Sequence, residues 1–257
     1  MMVLLWRQKA VIATLVLYWP TLFVLAHIPV PQVICKAHVY DKSLHLLAYM
    51  ILTFLLWSAI KPLERVCWRR AAVWCLLVAV AVYGVCDEWL QYYVADRSMD
   101  PRDFAADVVG AVAALGMLTV LSFWPISVII AGTTIYTLAV FTRANLTALL
   151  PVTMTMFHLM THMVFTLLWM GYLRQRSHLP RNGPLWVVTL VSLPLALVVI
   201  TKASTMISGK AFEGWGVIAA VAGIFGAVAA VWMADALQRR NARQAALPAS
   251  HPEAPTS

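Results

Sequence analysis

The chain has 257 residues, of which 62% are hydrophobic and only 12% are charged, whereas an ordinary soluble domain carries about 25% charged residues. Apolar stretches of membrane-spanning length recur along the sequence, which excludes a soluble globular protein and predicts an all-α, polytopic membrane protein. The net charge of +8 does not indicate a nucleic-acid partner, because a cytoplasmic N-terminus places most of the basic residues in cytoplasmic loops.

We predict eight transmembrane helices with both termini in the cytoplasm. The predicted spans cover about residues 10–29, 41–60, 71–94, 103–123, 126–141, 146–172, 184–202 and 214–237. The chain divides into a four-helix region over residues 1–124, a second four-helix region of unknown role over residues 125–243, and a polar tail over residues 244–257 that we expect to be disordered. The expected location is the cell membrane, with the lipid bilayer as the surrounding partner.

Polar residues follow one face of the second predicted span. Asp41, His45 and Tyr49 recur every four residues, and Lys42 lies beside them. Residues at this spacing share a helix face. On this segment alone, the pattern also fits a helix cap, a buried structural histidine and an interfacial tyrosine.

The third span ends, and the fourth begins, with acidic residues. Glu88 and Gln91 are three positions apart and share a face, from which Asp87 is expected to point away. The fourth span opens with Asp103 and Asp107 on one face.

Gly110 continues that face of the fourth span, where it allows another helix to approach closely. The start of span two, the end of span three and the start of span four all lie on the extracytoplasmic side. Charges are expensive in lipid, so we predict one shared polar site there.

The second half of the chain carries weaker signals. His158 and His162 are four residues apart among methionines, which allows a copper site, but we interpret them as packing residues and assign no metal. Cys35 and Cys86 could pair near the outer face. The acidic motifs of the first half do not recur, and the sequence reveals no internal duplication.

These residues resemble a known family. The segment DKSLHLLAYMIL is similar to the Asp-Lys-x-x-His-x-x-x-Tyr signature of VanZ-like membrane proteins. The second signature of that family is matched in spacing by Glu88, Gln91, Arg97, Asp103 and Gly110. Asp107 departs from it, because the family usually has Asn there. The resemblance covers about residues 10–124 and implies a role in low-level resistance to the glycopeptide antibiotic teicoplanin, without implying a reaction.

The predicted site has an excess of negative charge, which raised carboxylate pKa values, a bound cation or a cationic ligand group would compensate. One hypothesis is an enzyme acting on a lipid-linked or envelope substrate. His45 would then be the general acid or base, and Glu88 and Asp103 would be partner carboxylates or ligands of Mg²⁺, Mn²⁺ or Zn²⁺. The residues expected to contact the substrate are Asp41, Lys42, Tyr49, Gln91, Arg97 and Asp107.

Three other hypotheses use the same residues. The protein could bind a lipid, an antibiotic moiety or a partner protein without catalysis. It could couple transport to protons or cations, although no polar residues lead from the site toward the cytoplasm. The charged residues could also form a salt-bridge network that sets the order of the helices.

Overall fold

The computed structural model describes residues 2–27, 38–62, 64–95, 99–141, 151–176, 184–209 and 214–245. Within these ranges the chain forms eight α-helices and no strand. The helices are α1 (Met2–Ala26), α2 (His38–Ile60), α3 (Ala71–Gln91), α4 (Pro101–Val120), α5 (Phe123–Phe141), α6 (Pro151–Arg176), α7 (Pro184–Ile207) and α8 (Gly214–Ala245).

All eight of these helices are long and apolar enough to cross a membrane. The predicted all-α, multi-pass class is therefore confirmed. Large apolar side chains such as Leu17, Val78 and Ile218 point outward, as expected for helices that are surrounded by lipid rather than water. The cytoplasmic position of the two termini stays a prediction.

Several helix ends differ from the prediction. The first helix begins at Met2 and ends at Ala26. The sixth begins at Pro151. Proline suits the first turn of a helix because the backbone N–H that it lacks would have no partner there. The last helix continues to Ala245, beyond its predicted end, and residues 246–257 of the predicted tail lie outside the described residues. Cys35 also lies outside them, whereas Cys86 is a free, exposed thiol.

The fourth helix begins two residues before the predicted start. Asp100 is its N-cap, and its carboxylate accepts a hydrogen bond from the backbone N–H of Arg102 at 2.9 Å. Pro101 follows at the first helical position. Asp103 is therefore not the cap but a buried residue of the first turn. Similarly, α2 begins at His38, so Asp41 lies within the helix, and its side chain is outside the described residues.

The second helix is central in the first half of the chain. It contacts α1, α3, α4 and α5, and its Tyr49, Leu52 and Trp57 side chains are only 1% exposed. Its closest neighbour is α4, at Gly110, where an added Cβ would lie 2.2 Å from the carbonyl oxygen of Leu46. Only glycine fits there, and this close contact brings the polar faces of α2 and α4 together.

Basic side chains collect at the opposite end of these helices from the polar faces. The Arg7 guanidinium lies over the Phe123 and Trp124 rings, with centroids 5.0 and 4.8 Å away. Arg70 pairs with Glu64 in the segment between α2 and α3. The positive-inside rule predicts that this end faces the cytoplasm.

Candidate functional site

The start of α2, the end of α3 and the start of α4 meet at one end of the helix bundle. Their polar side chains form two groups at different depths. We call Lys42, Asp100 and Asp103 the outer layer, and His45, Glu88 and Asp107 the inner layer.

The outer layer is an ionic cluster in which one lysine pairs with two aspartates. The Lys42 ammonium donates hydrogen bonds to Asp100 Oδ2 at 2.7 Å and to Asp103 Oδ1 at 3.0 Å. Lys42 and Asp100 are each about one-third exposed. The hydrogen bond from Lys42, followed by that from the Arg102 backbone N–H, lowers the pKa of Asp100 below its ordinary value. The two carboxylates of the outer layer therefore share one ammonium, which gives each of them a charge-assisted hydrogen bond.

The inner layer is buried and joins three helices. His45 Nδ1 lies 3.0 Å from Asp107 Oδ1 and 4.0 Å from Glu88 Oε1. The Glu88 and Asp107 side chains are each 1% exposed. The backbone N–H of Asp100 donates to Glu88 Oε2 at 3.1 Å, which links the inner layer to the outer one.

Two carboxylate oxygens of the inner layer lack hydrogen bonds. Among the described residues, Glu88 Oε1 and Asp107 Oδ2 have no hydrogen-bond partner. Leaving a buried polar group unpaired costs about 1–3 kcal/mol, and more when it is charged. These oxygens therefore suit a proton, a cation or a donor group of a ligand.

A metal ion is one species that this arrangement could hold. One ligand atom each from His45, Glu88 and Asp107 lies within 4.8 Å of the other two. Imidazole favours Zn²⁺, whereas carboxylates favour Mg²⁺ or Mn²⁺. The donor set is thus compatible with each of the divalent ions that the sequence suggested.

Hydroxyl groups lie deeper in the bundle on the same helix. The side chains of Tyr49 and Thr53 follow His45 along α2, with Tyr49 1% and Thr53 0% exposed. Within the described part of the chain, neither hydroxyl has a hydrogen-bond partner. Tyr49 therefore lies one turn deeper than His45 on the same face of α2, with its hydroxyl buried.

A further polar contact extends the cluster toward α1. Gln91 Nε2 donates to Asp87 Oδ2 at 3.0 Å, and His27 Nδ1 lies 3.9 Å from Asp87 Oδ1. Gln91, which we expected beside Glu88, instead bonds to Asp87 one turn earlier. The sequence interpretation missed His27 because a single histidine at the end of an apolar span carries no pattern.

Asp100 was also missed as a site residue, although the Asp-Pro dipeptide before a helix is a recognisable capping signal. The structure brings together most of the predicted residues: Lys42, His45, Tyr49, Glu88, Asp103 and Asp107. Arg97 and the Asp41 side chain lie outside the described residues, so their contact with a substrate stays a prediction. His158 and His162 lie on α6, in the other half of the chain.

The fold and this cluster define a multi-pass helical membrane protein with a buried histidine–carboxylate group between three helices. Residues 5–124 match the family model VanZ/LLP1, in agreement with the resemblance that the two signatures indicated. The match does not extend to residues 125–257. Comparisons with curated proteins and with solved structures find no match.

Proposed function

We propose that the protein acts in the cell envelope, at the extracytoplasmic face of the cell membrane. It would bind a lipid-linked or envelope ligand between α2, α3 and α4 and lower the sensitivity of the cell to glycopeptides of the teicoplanin type. The observation that supports this proposal best is the inner layer, because its unpaired buried carboxylate oxygens are costly unless a ligand or proton meets them.

The inner layer favours chemistry over simple binding. Asp107 holds the His45 ring at 3.0 Å, and a carboxylate in this position orients a histidine and stabilises its charged form. Glu88 lies close enough to share a proton or a cation with this pair. We therefore propose that His45 exchanges a proton with the ligand, while Asp107 positions the ring and Glu88 contacts the reacting group.

A metal-assisted form of the same proposal rests on the mutual distances in the inner layer. A divalent ion there would supply Lewis-acid activation and neutralise both carboxylates. Purified protein should then contain about one equivalent of Mg²⁺, Mn²⁺ or Zn²⁺ by mass spectrometry, and Asp107→Ala should lose it. Protein without bound metal would leave only the acid–base form.

The salt-bridge hypothesis explains the outer layer better than the inner one. Lys42 donates a direct hydrogen bond to each of Asp100 and Asp103, but the contacts of Glu88 and Asp107 include no lysine or arginine among the described residues. A network that served only to hold helices together would gain little from leaving these two oxygens unpaired.

Glu88→Gln tests the proposal, with Glu64→Gln as the matched control. Glu64 is an exposed glutamate at the other end of α2 and α3. In cells that lack the native gene, both variants should reach the membrane at wild-type levels, and only Glu88→Gln should lose teicoplanin tolerance. Equal tolerance in both variants would contradict the proposal, and degradation of Glu88→Gln would favour the structural hypothesis.

A separate measurement distinguishes coupled transport from the proposed function. A coupled transporter reconstituted in liposomes should show flux driven by a pH or cation gradient. We expect no such flux, because the described acidic residues of this cluster lie at one end of the helices. Gradient-driven flux that His45→Ala abolishes would replace the proposed function with transport.

A further inference from the structure

Asp100 contacts all three helices of the site. Its carboxylate accepts a hydrogen bond from the Lys42 ammonium on α2 at 2.7 Å and another from the Arg102 backbone N–H on α4 at 2.9 Å. Its own backbone N–H donates to Glu88 Oε2 on α3 at 3.1 Å. The two carboxylate oxygens serve different helices, since Oδ2 meets α2 and Oδ1 meets α4. One residue between α3 and α4 therefore links the three helix ends.

The backbone conformation of Asp100 makes its N–H available to a neighbouring helix. Asp100 precedes Pro101 and is extended, with φ −120° and ψ 112°. A residue before proline disfavours the helical region, so the local sequence favours this conformation. Asp100 is also the N-cap of α4, and the backbone N–H of an N-cap has no partner within its own helix. It can therefore hold a side chain of α3.

The hydrogen bond from Asp100 determines which Glu88 oxygen faces the inner layer. The Asp100 N–H holds Oε2, so Oε1 is the oxygen that lies 4.0 Å from His45 Nδ1. This second oxygen has no hydrogen-bond partner among the described residues. Displacing a reacting group by about 1 Å can lower a reaction rate about 100-fold. The position of the Asp100 backbone therefore matters for any chemistry that uses Glu88 Oε1.

The Asp100 side chain restrains that backbone. A partly exposed ion pair such as Lys42–Asp100 holds its partners weakly when it acts alone. Here the same carboxylate also caps α4, and the backbone oxygen of Asp100 accepts from the Asp103 N–H at 2.9 Å. Asp100 is thus held at its backbone oxygen and at both carboxylate oxygens, and these contacts fix the position from which its N–H reaches Glu88.

We propose that Asp100 is a positioning residue for Glu88. By tying α2 and α4 to the Glu88 side chain, it keeps Oε1 directed at the group that the inner layer binds. Asp100 acts through Glu88 and does not itself need to contact the ligand. This inference rests on the proposed function, because a position for Oε1 matters only if Glu88 contacts the reacting group. Two measurements test the contact and its functional consequence separately.

Nuclear magnetic resonance of the full-length protein in detergent tests the contact. Met99–Asp100 is the only Met-Asp pair in the sequence, so carbonyl-¹³C methionine and ¹⁵N aspartate together select the Asp100 amide. Glu88→Met has a similar length but no acceptor. It should move this resonance and speed its hydrogen exchange about tenfold or more, as expected when a hydrogen bond to a charged group is lost.

Two variants control the resonance measurement. Glu88→Gln keeps an oxygen that can accept from the Asp100 N–H, so it should retain part of the protection from exchange. Glu64→Gln, at the other end of α2 and α3, should leave the resonance unchanged. If Glu88→Met fails to fold, Glu88→Ala provides the same comparison. An Asp100 amide that responds to neither Glu88→Met nor Glu88→Ala would overturn the proposal.

Teicoplanin tolerance tests the functional consequence, with Asp235→Asn as the matched control. Asp100→Asn keeps an oxygen for the cap of α4 but loses the charge that attracts Lys42. At wild-type membrane levels it should therefore lose tolerance as Glu88→Gln does. Asp235 is 36% exposed and lies 2.7 Å from an arginine, whereas Asp100 is 35% exposed and lies 2.7 Å from its lysine. Asp235→Asn removes a comparable ion pair elsewhere and should keep tolerance.

The outcomes separate this inference from the proposed function. If Asp100→Asn does not reach the membrane, Asp100→Ser, which also caps a helix, provides the same comparison. Tolerance kept by the Asp100 variant but lost by Glu88→Gln would overturn the positioning role and leave the proposed function standing. Tolerance kept by both would contradict the proposed function, whereas the Asp100 amide would still show whether the residue holds Glu88.

Discussion

His45 on α2 and Asp107 on α4 meet with Nδ1 and Oδ1 3.0 Å apart, although 62 positions separate them in the chain. Gly110 lies one turn beyond Asp107 and allows α4 to touch the backbone of α2. The distance between the two polar side chains therefore depends on a contact between two helix backbones.

Gly110→Ala should destabilise the protein and disturb the inner layer. The added methyl would lie 2.2 Å from a backbone oxygen, so the helices must separate, at a cost of about 1–3 kcal/mol. Gly116→Ala on the same helix is the control, because nothing lies within 4 Å of its Cβ position. Thermal midpoints in detergent should fall for the first variant and stay level or rise for the second. Equal midpoints would show that α4 does not approach α2 this closely.

Gly223→Ala should have a comparable effect in the second half, with Gly226→Ala as its control. The Gly223 methyl would meet the Leu159 carbonyl oxygen at 2.2 Å, whereas the Gly226 position is open. Thermal midpoints measured alongside those of Gly110→Ala and Gly116→Ala compare the two helix contacts directly. Wild-type stability of Gly223→Ala would mean that α8 packs differently from α4.

Asp107→Asn should preserve the fold while changing the chemistry of the site. The amide oxygen can still accept from His45, and the substitution removes a buried charge whose second oxygen lacks a hydrogen bond in the described structure. We expect an unchanged or higher thermal midpoint. The affinity of the inner layer for a cation should fall about tenfold or more, because one charged ligand is lost. Unchanged binding of added Mn²⁺ by calorimetry would show that Asp107 is not a ligand.

Asp100→Asn should reveal a pH-dependent contribution from the outer layer. Hydrogen bonding by Lys42 lowers the pKa of Asp100 in the folded protein. Its ionised form therefore stabilises the fold above the ordinary aspartate pKa of about 3.9, and this contribution is lost as the pH falls through the lower, folded value. Asparagine can keep the cap to the Arg102 N–H.

The thermal midpoint of the wild type should accordingly exceed that of Asp100→Asn at pH 7, and the difference should shrink below about pH 4. Both proteins need measurement in the same detergent at matched ionic strength, because salt screens this partly exposed pair. A difference that stays constant from pH 7 to pH 3 would rule out a charge effect of Asp100.

The spans and the polar faces could be predicted because both are local properties. The length of an apolar stretch indicates a membrane helix, and the four-residue spacing of His45 and Tyr49 determines that they share a face. The predictions were weakest at helix ends. At Asp100 and Pro151, a cap or a proline rather than hydrophobicity decides where the helix begins.

Partners within the site could not be predicted in this way. Glu88 and Gln91 share a spacing, yet Gln91 bonds to Asp87, and His27 joins this group from α1. The Gln91–Asp87 bond lies within one helix, where spacing allowed either partner, whereas the contact of His27 depends on the rotation and depth at which two helices meet. Close packing at a few small residues, such as Gly110, sets that rotation.

By itself, the sequence determined the class of the protein, its membrane helices and the three polar faces that resemble a VanZ-like site. Only the tertiary structure decided that His45 meets Asp107 and that α8 contacts α6 at Gly223 as closely as α4 contacts α2 at Gly110. The physical reason is that helix formation depends on residues close together in the sequence, whereas contact between side chains of different helices depends on how those helices pack.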